Sequence, residues 1–402
     1  MKNFVNNLSI CILGILMCQT PIVEGRDLSA RNIKRVISSK SAGLKRTSWG
    51  LGRGFGMHSK KAQRQMIKRC DGQNGVVVAV IDTGIDRNHK DLSSSLWVNR
   101  GEIRGNGKDD DRNGYIDDVN GWDFSKKSGK ITDSNGHGTH VSGIIGATGQ
   151  SNEGYAGVCP GVKIMSIRYY SQGASGAQNL KNSIKAFWYA INMKKRDRSI
   201  KKMIINYSGG GPQHSVAEFK AMKAAEKEGI LVVAAAGNEY SNGDSKHYYP
   251  AAYKLKNIIS VAGIDAHGSK VSSSNYGIKT VHVAAPGDKI FSTMPGNNYG
   301  YLTGTSQATA FVSGLAAMIW SERSKTHYLT VRNIIEKSMI FNKKLKGLVK
   351  NSGQIYAPKA ISYVHALMKL KQKKNKKKMF VSKKKFRNKA STKKNKRTWT
   401  RF

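Results

Sequence analysis

Between residues 76 and 285 the chain is punctuated by short, largely unbroken apolar runs: Val76 to Ile81, Ile164 to Ile167, Met203 to Asn206, Ile230 to Ala236, Ile258 to Gly263 and Val281 to Ala285. A strand with one wet face alternates apolar and polar residues. Runs without alternation therefore predict strands covered on both faces, as in a parallel sheet flanked by helices. Between them, Leu180 to Met193 and Ser215 to Glu228 carry apolar residues at helical spacing, and Ala308 to Trp320 is apolar almost throughout, as a buried helix is. The pattern predicts a three-layer α/β domain with a mostly parallel sheet.

The two ends of the chain read differently. Residues 1–25 open with Lys2, continue through the apolar run Leu8 to Met17 and end in Val23-Glu24-Gly25, which predicts a signal peptide and an exported protein, extracellular, periplasmic or attached to the cell envelope. The run is too short to be read as a membrane span. Residues 26–70 are basic and polar with little periodicity apart from a helix at Ala62 to Lys68, and are read as a short basic leader. Residues 369–402 hold 17 Lys and Arg and no acidic residue, a low-complexity tail expected to be disordered. The whole chain carries +43, so about +26 lies outside that tail. A flexible polycation gains from counterion release on any dense polyanion, so anionic polymers or membrane surfaces are its expected partners, with a purely solubilising role as the alternative. Phe380, Phe386, Trp399 and Phe402 are too scattered in it to indicate base stacking.

Three segments carry candidate chemistry: Val78-Ala79-Val80-Ile81-Asp82-Thr83-Gly84, Asn135-Gly136-His137-Gly138-Thr139-His140 and Gly304-Thr305-Ser306-Gln307-Ala308. A serine hydroxyl is a poor nucleophile at neutral pH. It needs an imidazole to take its proton and a carboxylate to fix that imidazole. Asp82 ends an apolar strand, His137 precedes an apolar helix, and Ser306 opens the buried helix, where free backbone N–H groups favour developing negative charge. In this order and with these neighbours, the segments resemble the subtilisin-like (subtilase) family of serine proteases, over about residues 71–368.

That resemblance implies a three-layer subtilisin-like catalytic domain acting as an endopeptidase on polypeptide substrates, as a monomer. It also implies roles for single residues: Asp82, His137 and Ser306 as the triad, Asn238 in Val232-Val233-Ala234-Ala235-Ala236-Gly237-Asn238 as side-chain oxyanion donor, and His140 as structural. Ser208, Gly209 and Gly210 would line one side of the substrate cleft, and Ala235, Ala236 and Gly237 the other. Gln307 and Ala310 depart from the family's Met and Pro, which puts the placement of Ser306 in question. The short leader departs from the folded pro-domain of most secreted members. A different class of function, a polyanion-binding protein with an inactive or secondary protease-like domain, is disfavoured because all four of Asp82, His137, Asn238 and Ser306 are intact.

Residues 109–117 follow the pattern Asp-x-Asp-x-Asn-Gly, with oxygen-bearing side chains at alternate positions and glycine at the sharp turn. The twelfth position is Asn120 rather than Glu, so an EF-hand is not inferred. A calcium loop using Asp109, Asp111, Asn113, Tyr115 and Asp118 is expected, and similar insertions bind Ca2+ in some subtilases. Asp91 matches a further family calcium position, with a partner loop near Asn152 that is not clear. Tyr249-Pro250 matches a family position whose peptide bond is often cis. Cys11 and Cys18 leave with the signal peptide. Cys70 and Cys159 precede strands whose entrances share one edge of a subtilase-like sheet, so they form either one bridge or two free thiols.

Overall fold

The computed structural model describes residues 48–68, 70–150 and 155–373. The expected signal peptide, residues 26–47 of the expected leader, the Asn152 loop and the tail beyond residue 373 lie outside them.

Every apolar run forms a strand. With the short β2 (Gly121–Asp123), which no apolar run marks, they are in chain order β1 (Val76–Asp82), β3 (Lys163–Arg168), β4 (Lys202–Tyr207), β5 (Leu231–Ala235), β6 (Ile258–Ile264) and β7 (Val283–Pro286). A hairpin of β8 (Ile290–Met294) and β9 (Asn298–Leu302) stands apart, and two short strands follow, β10 (Ile340–Phe341) and β11 (Gly353–Gln354). Among the described residues the main sheet has nine strands in the order β10-β11-β7-β6-β5-β4-β1-β3-β2, parallel except for the β10/β11 pair.

The helices are α1 (Ser59–Gln65), α2 (His137–Gly146), α3 (Gly176–Arg196), α4 (Val216–Lys227), α5 (Thr305–Glu322), α6 (Tyr328–Ser338) and α7 over residues 357–373. They explain the unbroken hydrophobicity of the strands. Val76, Val78 and Val80 of β1 join a core with α2, α5 and α6, whereas Val77, Ala79 and Ile81 point the other way, into a second core with α3 and α4. With side chains alternating between two dry faces, no position is left for a polar residue. Burying one such Val or Ile stabilises the fold by roughly 1.5–3 kcal/mol, so a charge at Val78 would undo more than one strand's packing.

Helix α5 is buried on every side, from Thr305 to Glu322. Such a helix is apolar all round, and here Ala and Gly let neighbours close in. A Cβ on Gly314 would meet the Val158 side chain at 2.5 Å.

Residues 48–68 pack into the domain, although the sequence reads as leader there. Leu51, Met57 and Ala62 join the first core. The Ala357 N–H donates to the Met57 carbonyl (3.1 Å), and the Gln63 amide donates to the carbonyls of Gly157 and Val158. The backbone N–H groups of Ile67 and Lys68 donate to the buried carboxylate of Glu322. Cys70 is bonded to Cys159, joining this segment to the loop before β3. At the other end α7 runs to residue 373, past the expected domain boundary at 368. Among the described residues no helix is long and apolar enough to cross a membrane.

The topology selects one place for a site. After β1 the chain builds β2 and β3 on one side, then crosses back to β4 and continues outward to β7 on the other. The connections that leave the neighbouring strands β1 and β3 therefore run in opposite directions and open a crevice at their carboxyl ends. Asp82 is the last residue of β1, level with Arg168 of β3.

Candidate active site

Asp82 is buried, and its Oδ1 lies 2.7 Å from Nδ1 of His137, the first residue of α2. The Thr83 N–H donates to the same oxygen at 2.7 Å. The approach needs glycine: a Cβ on Gly138 would run into the Gly84 carbonyl and lie 3.2 Å from the Asp82 side chain.

The start of α2 is clamped by a residue that sequence reasoning passed over. Buried Asp133 accepts from the N–H groups of Gly136 (2.9 Å) and Thr139 (2.8 Å), from the Thr139 hydroxyl (2.6 Å) and from the Thr83 hydroxyl (2.9 Å). Thr83 in turn accepts from the Gly138 N–H. The signal was legible as an aspartate shortly before a helix start, a capping pattern.

Burial of the His137 ring opposes its protonation, but Asp82, through charge and hydrogen bond, and the more distant Asp133 outweigh it, so its pKa stands above the ordinary value. His140, three residues on, is buried and set against the Ile290 carbonyl (2.9 Å), and burial pushes it down to about 3. One histidine is poised to gain a proton, and the other stays neutral and holds β8 to α2.

Ser306 is the second residue of α5 and almost wholly buried. Its hydroxyl donates to the Ser208 carbonyl and the Ser208 hydroxyl donates to the Ser306 carbonyl, both at 3.3 Å. The structure thus pairs Ser306 with the segment after β4 rather than with His137. Such catalytic bonds often close only when substrate is bound.

Asn238 caps α5 from outside: its Oδ1 accepts from the Thr305 N–H (2.9 Å) and the Thr305 hydroxyl (3.1 Å). With its carbonyl fixed in this way, the side-chain amide is the donor it presents. The Ser306 N–H, in the first turn of α5, has no partner within the helix. Gln307, in place of the family's Met, is buried with its Nε2 lacking a hydrogen-bond partner.

Ser208, Gly209 and Gly210 follow β4. Ala235 ends β5, with Ala236 and Gly237 following it. The first wall is anchored by antiparallel pairing of Gly211 with Tyr249 (3.0 and 2.8 Å). The second is held by Asn275, whose side chain donates to the Ala236 carbonyl (2.9 Å) and whose N–H donates to that of Gly237 (2.9 Å). Tyr249-Pro250 is cis.

The acidic loop lies away from this crevice. Carboxylate oxygens of Glu102, Asp109 and Asp111 fall within 4.8 Å of one another. The Asp109 carboxylate also accepts from the N–H groups of Asn113 and Gly114. Asp111 Oδ2 accepts from Asn99 and Asn113, while its Oδ1 is buried without a partner. Three carboxylates with an orphaned oxygen suit a hard divalent cation, which takes oxygen ligands and cancels their repulsion. Asp118 stands beside this group with its oxygens accepting from Asn99, Asn113 and the Tyr189 hydroxyl, and burial pushes it up to about 6. The Asn113 oxygen accepts from the Tyr115 N–H, and the Tyr115 ring packs against Trp122 and Tyr189. Glu102, outside the nine-residue pattern, was not anticipated. Asp91 is buried and accepts from the Tyr299 hydroxyl at 2.6 Å.

A buried carboxylate, an imidazole and a helix-borne serine at the switch point of a parallel sheet define an α/β protein equipped for serine-based hydrolysis. Known proteins agree. A profile described as the subtilase family matches residues 73–382. The thermophilic serine proteinase of Bacillus sp. (strain AK1) is 34% identical over 267 residues, 66% of this chain and 57% of that protein. Subtilisin-like protease 1 of Plasmodium falciparum (isolate 3D7) is 33% identical over 304 residues, 71% and 43% respectively. Thermitase of Thermoactinomyces vulgaris is 34% identical over 294 residues, 72% and 90%. The crystal structure of a cold adapted subtilisin-like serine proteinase superposes with a TM-score of 0.57 at 25% identity, covering 74% of this chain and 97% of that one. This chain belongs to the subtilase family, a family of serine-type endopeptidases. It spans about half the length of the first two of these relatives.

Proposed function

We propose that the protein is an exported serine endopeptidase that cleaves polypeptides through an acyl-enzyme. The observation that carries this reading is the 2.7 Å contact between buried Asp82 and His137, at the end of the crevice that also holds Ser306. Ser306 turns from the Ser208 carbonyl toward His137, which takes its proton as the oxygen attacks the scissile carbonyl. Asp82 fixes the imidazole through Nδ1 and stabilises the imidazolium. The Asn238 amide and the Ser306 N–H receive the oxyanion, and His137 returns the proton to the leaving amine. Water then releases the acyl group by the same steps in reverse.

Export is supported by the signal-like residues 1–25 and by the Cys70–Cys159 bridge, since such bridges persist in oxidising compartments. Glu102, Asp109 and Asp111 would hold a calcium ion, whose contribution there is charge neutralisation and loop rigidity rather than chemistry at the crevice. The Lys-rich tail adds electrostatic attachment to anionic polymers or membrane surfaces.

The deciding experiment is treatment with a fluorophosphonate probe followed by peptide mass spectrometry. A single adduct on Ser306, lost in His137→Ala, is expected. No adduct, or one on another serine, would overturn the reading.

A further inference from the structure

The two walls of the crevice do not enclose an open slot. A Cβ built on Gly210 would lie 2.5 Å from Cε1 and 3.0 Å from Cζ of Tyr248, and one built on Gly237 would lie 3.0 Å from Cδ2 of the same ring. Cε1 and Cδ2 are para to each other. The two glycines therefore meet opposite edges of one ring, which spans from wall to wall. Both glycines have positive φ, 153° and 103°, and a Cβ on either would also crowd the Tyr249 carbonyl or the Asn275 and Glu239 side chains, so neither wall accommodates a side chain of its own and the Tyr248 ring stands between them.

The backbone that carries the ring is held in place. The neighbouring Tyr249 is paired with Gly211 through both backbone groups, and its ring packs on Tyr253 at 4.7 Å and His214 at 5.2 Å. The Tyr248 carbonyl accepts from the Ala252 N–H at 2.9 Å. Tyr248 itself is only half-buried, as expected for a group that floors an open cleft.

We infer that Tyr248 limits the substrate residue whose carbonyl is attacked (P1) to glycine, alanine or serine. The inference rests on the serine-peptidase reading. A substrate with its scissile carbonyl between Ser306 and Asn238 must direct its P1 side chain between residues 208–210 and 235–237. A methyl or hydroxymethyl group stops short of the ring, whereas a leucine, phenylalanine or lysine side chain must pass through it. Close-packed groups on a fixed backbone yield poorly to added volume.

The test uses the full exported chain and one peptide series differing only at P1: Gly, Ala, Leu, Phe and Lys. Wild type should cleave the Ala peptide with kcat/KM at least about 1,000-fold above the Phe peptide, beyond the roughly 10–200-fold that a single mismatched methylene gives. Tyr248→Ala should lower the Ala-to-Phe ratio of kcat/KM at least about 10-fold, whatever happens to the absolute rates, while Tyr248→Phe keeps the wild-type ratio because the ring, not the hydroxyl, fills the space. Equal cleavage of Ala and of Phe, Leu or Lys by wild type would overturn the inference. So would an unchanged Ala-to-Phe ratio in folded Tyr248→Ala. Should Tyr248→Ala fail to fold, the wild-type and Tyr248→Phe profiles decide. Labelling of Ser306 with the wrong profile overturns only the specificity, whereas absence of both labelling and hydrolysis overturns the peptidase reading and this inference together.

Discussion

The crevice at the end of β1 and the acidic loop at residues 102–118 are both built from aspartates, yet their charges are balanced in opposite ways. At the crevice the carboxylates near the reacting groups are held by protein donors: Asp82 Oδ1 holds His137 and the Thr83 N–H, and Asp133 holds two hydroxyls and the backbone at the start of α2. In the loop, three carboxylates converge and Asp111 Oδ1 has no partner. A buried acceptor left unmatched costs about 1–3 kcal/mol. The first region is complete as a protein. The second leaves a buried acceptor open, which the proposed cation would fill, and so the two should respond differently to the same perturbations.

The largest effect expected is on the crevice alone. Ser306→Ala should lower peptide hydrolysis by about 10⁶-fold, the scale of loss when a triad nucleophile is removed. Melting should scarcely move, because alanine fits the first turn of a buried helix. Retention of substantial activity would separate the chemistry from Ser306 and break the comparison at its first term. Asn238→Ala should cost about 3 kcal/mol in kcat, roughly 10²–10³-fold, with KM little changed, since its amide is needed mainly when charge forms. Because Asn238 also caps α5, a modest drop in melting temperature should accompany it. An effect confined to KM would contradict the oxyanion role.

Chelation tests the second region. With a cation bound at 100 to 1,000 times its dissociation constant, removal destabilises the folded state by about 3–4 kcal/mol, or about 5–10 °C in a domain of this size. Asp111→Asn should abolish that sensitivity to EDTA. Below the new melting point, kcat of the chelated protein should match that of the untreated one. An EDTA-insensitive melting curve, with no metal by elemental analysis, would show that the loop balances itself as the crevice does.

How much of this was readable in advance follows from what kind of signal each part leaves. The strands were legible because residues such as Val76 to Ile81 alternate between two dry faces, which removes polar positions altogether. The Asp82–His137 pair was legible because its two short motifs have unusual composition. The packing of residues 48–68 was not legible because Leu51, Met57 and Ala62 are anchors at irregular spacing within a basic stretch and leave no period. Glu102 lies seven residues before the acidic pattern, and Tyr248 is an ordinary tyrosine until the fold sets Gly210 and Gly237 against opposite edges of its ring. Contacts between distant segments leave no local pattern.

The smallest effect expected is a shift in pH dependence, and it separates the two regions most sharply. The neutral form of His137 is the base, so kcat/KM should rise as that group loses its proton. Its folded pKa is raised, burial being outweighed by Asp82 and Asp133, and the rising limb should therefore lie above the ordinary histidine value of about 6.5. Asp133→Asn removes one of the charges that favour the protonated ring, so the limb should move to lower pH even where the maximal rate falls. Treatment with EDTA should leave the limb in place, because neither Glu102, Asp109 nor Asp111 is among the groups that set the His137 proton affinity. A limb that moves with EDTA and stands still in Asp133→Asn would mean that the loop, and not the clamp on α2, governs the electrostatics of the crevice.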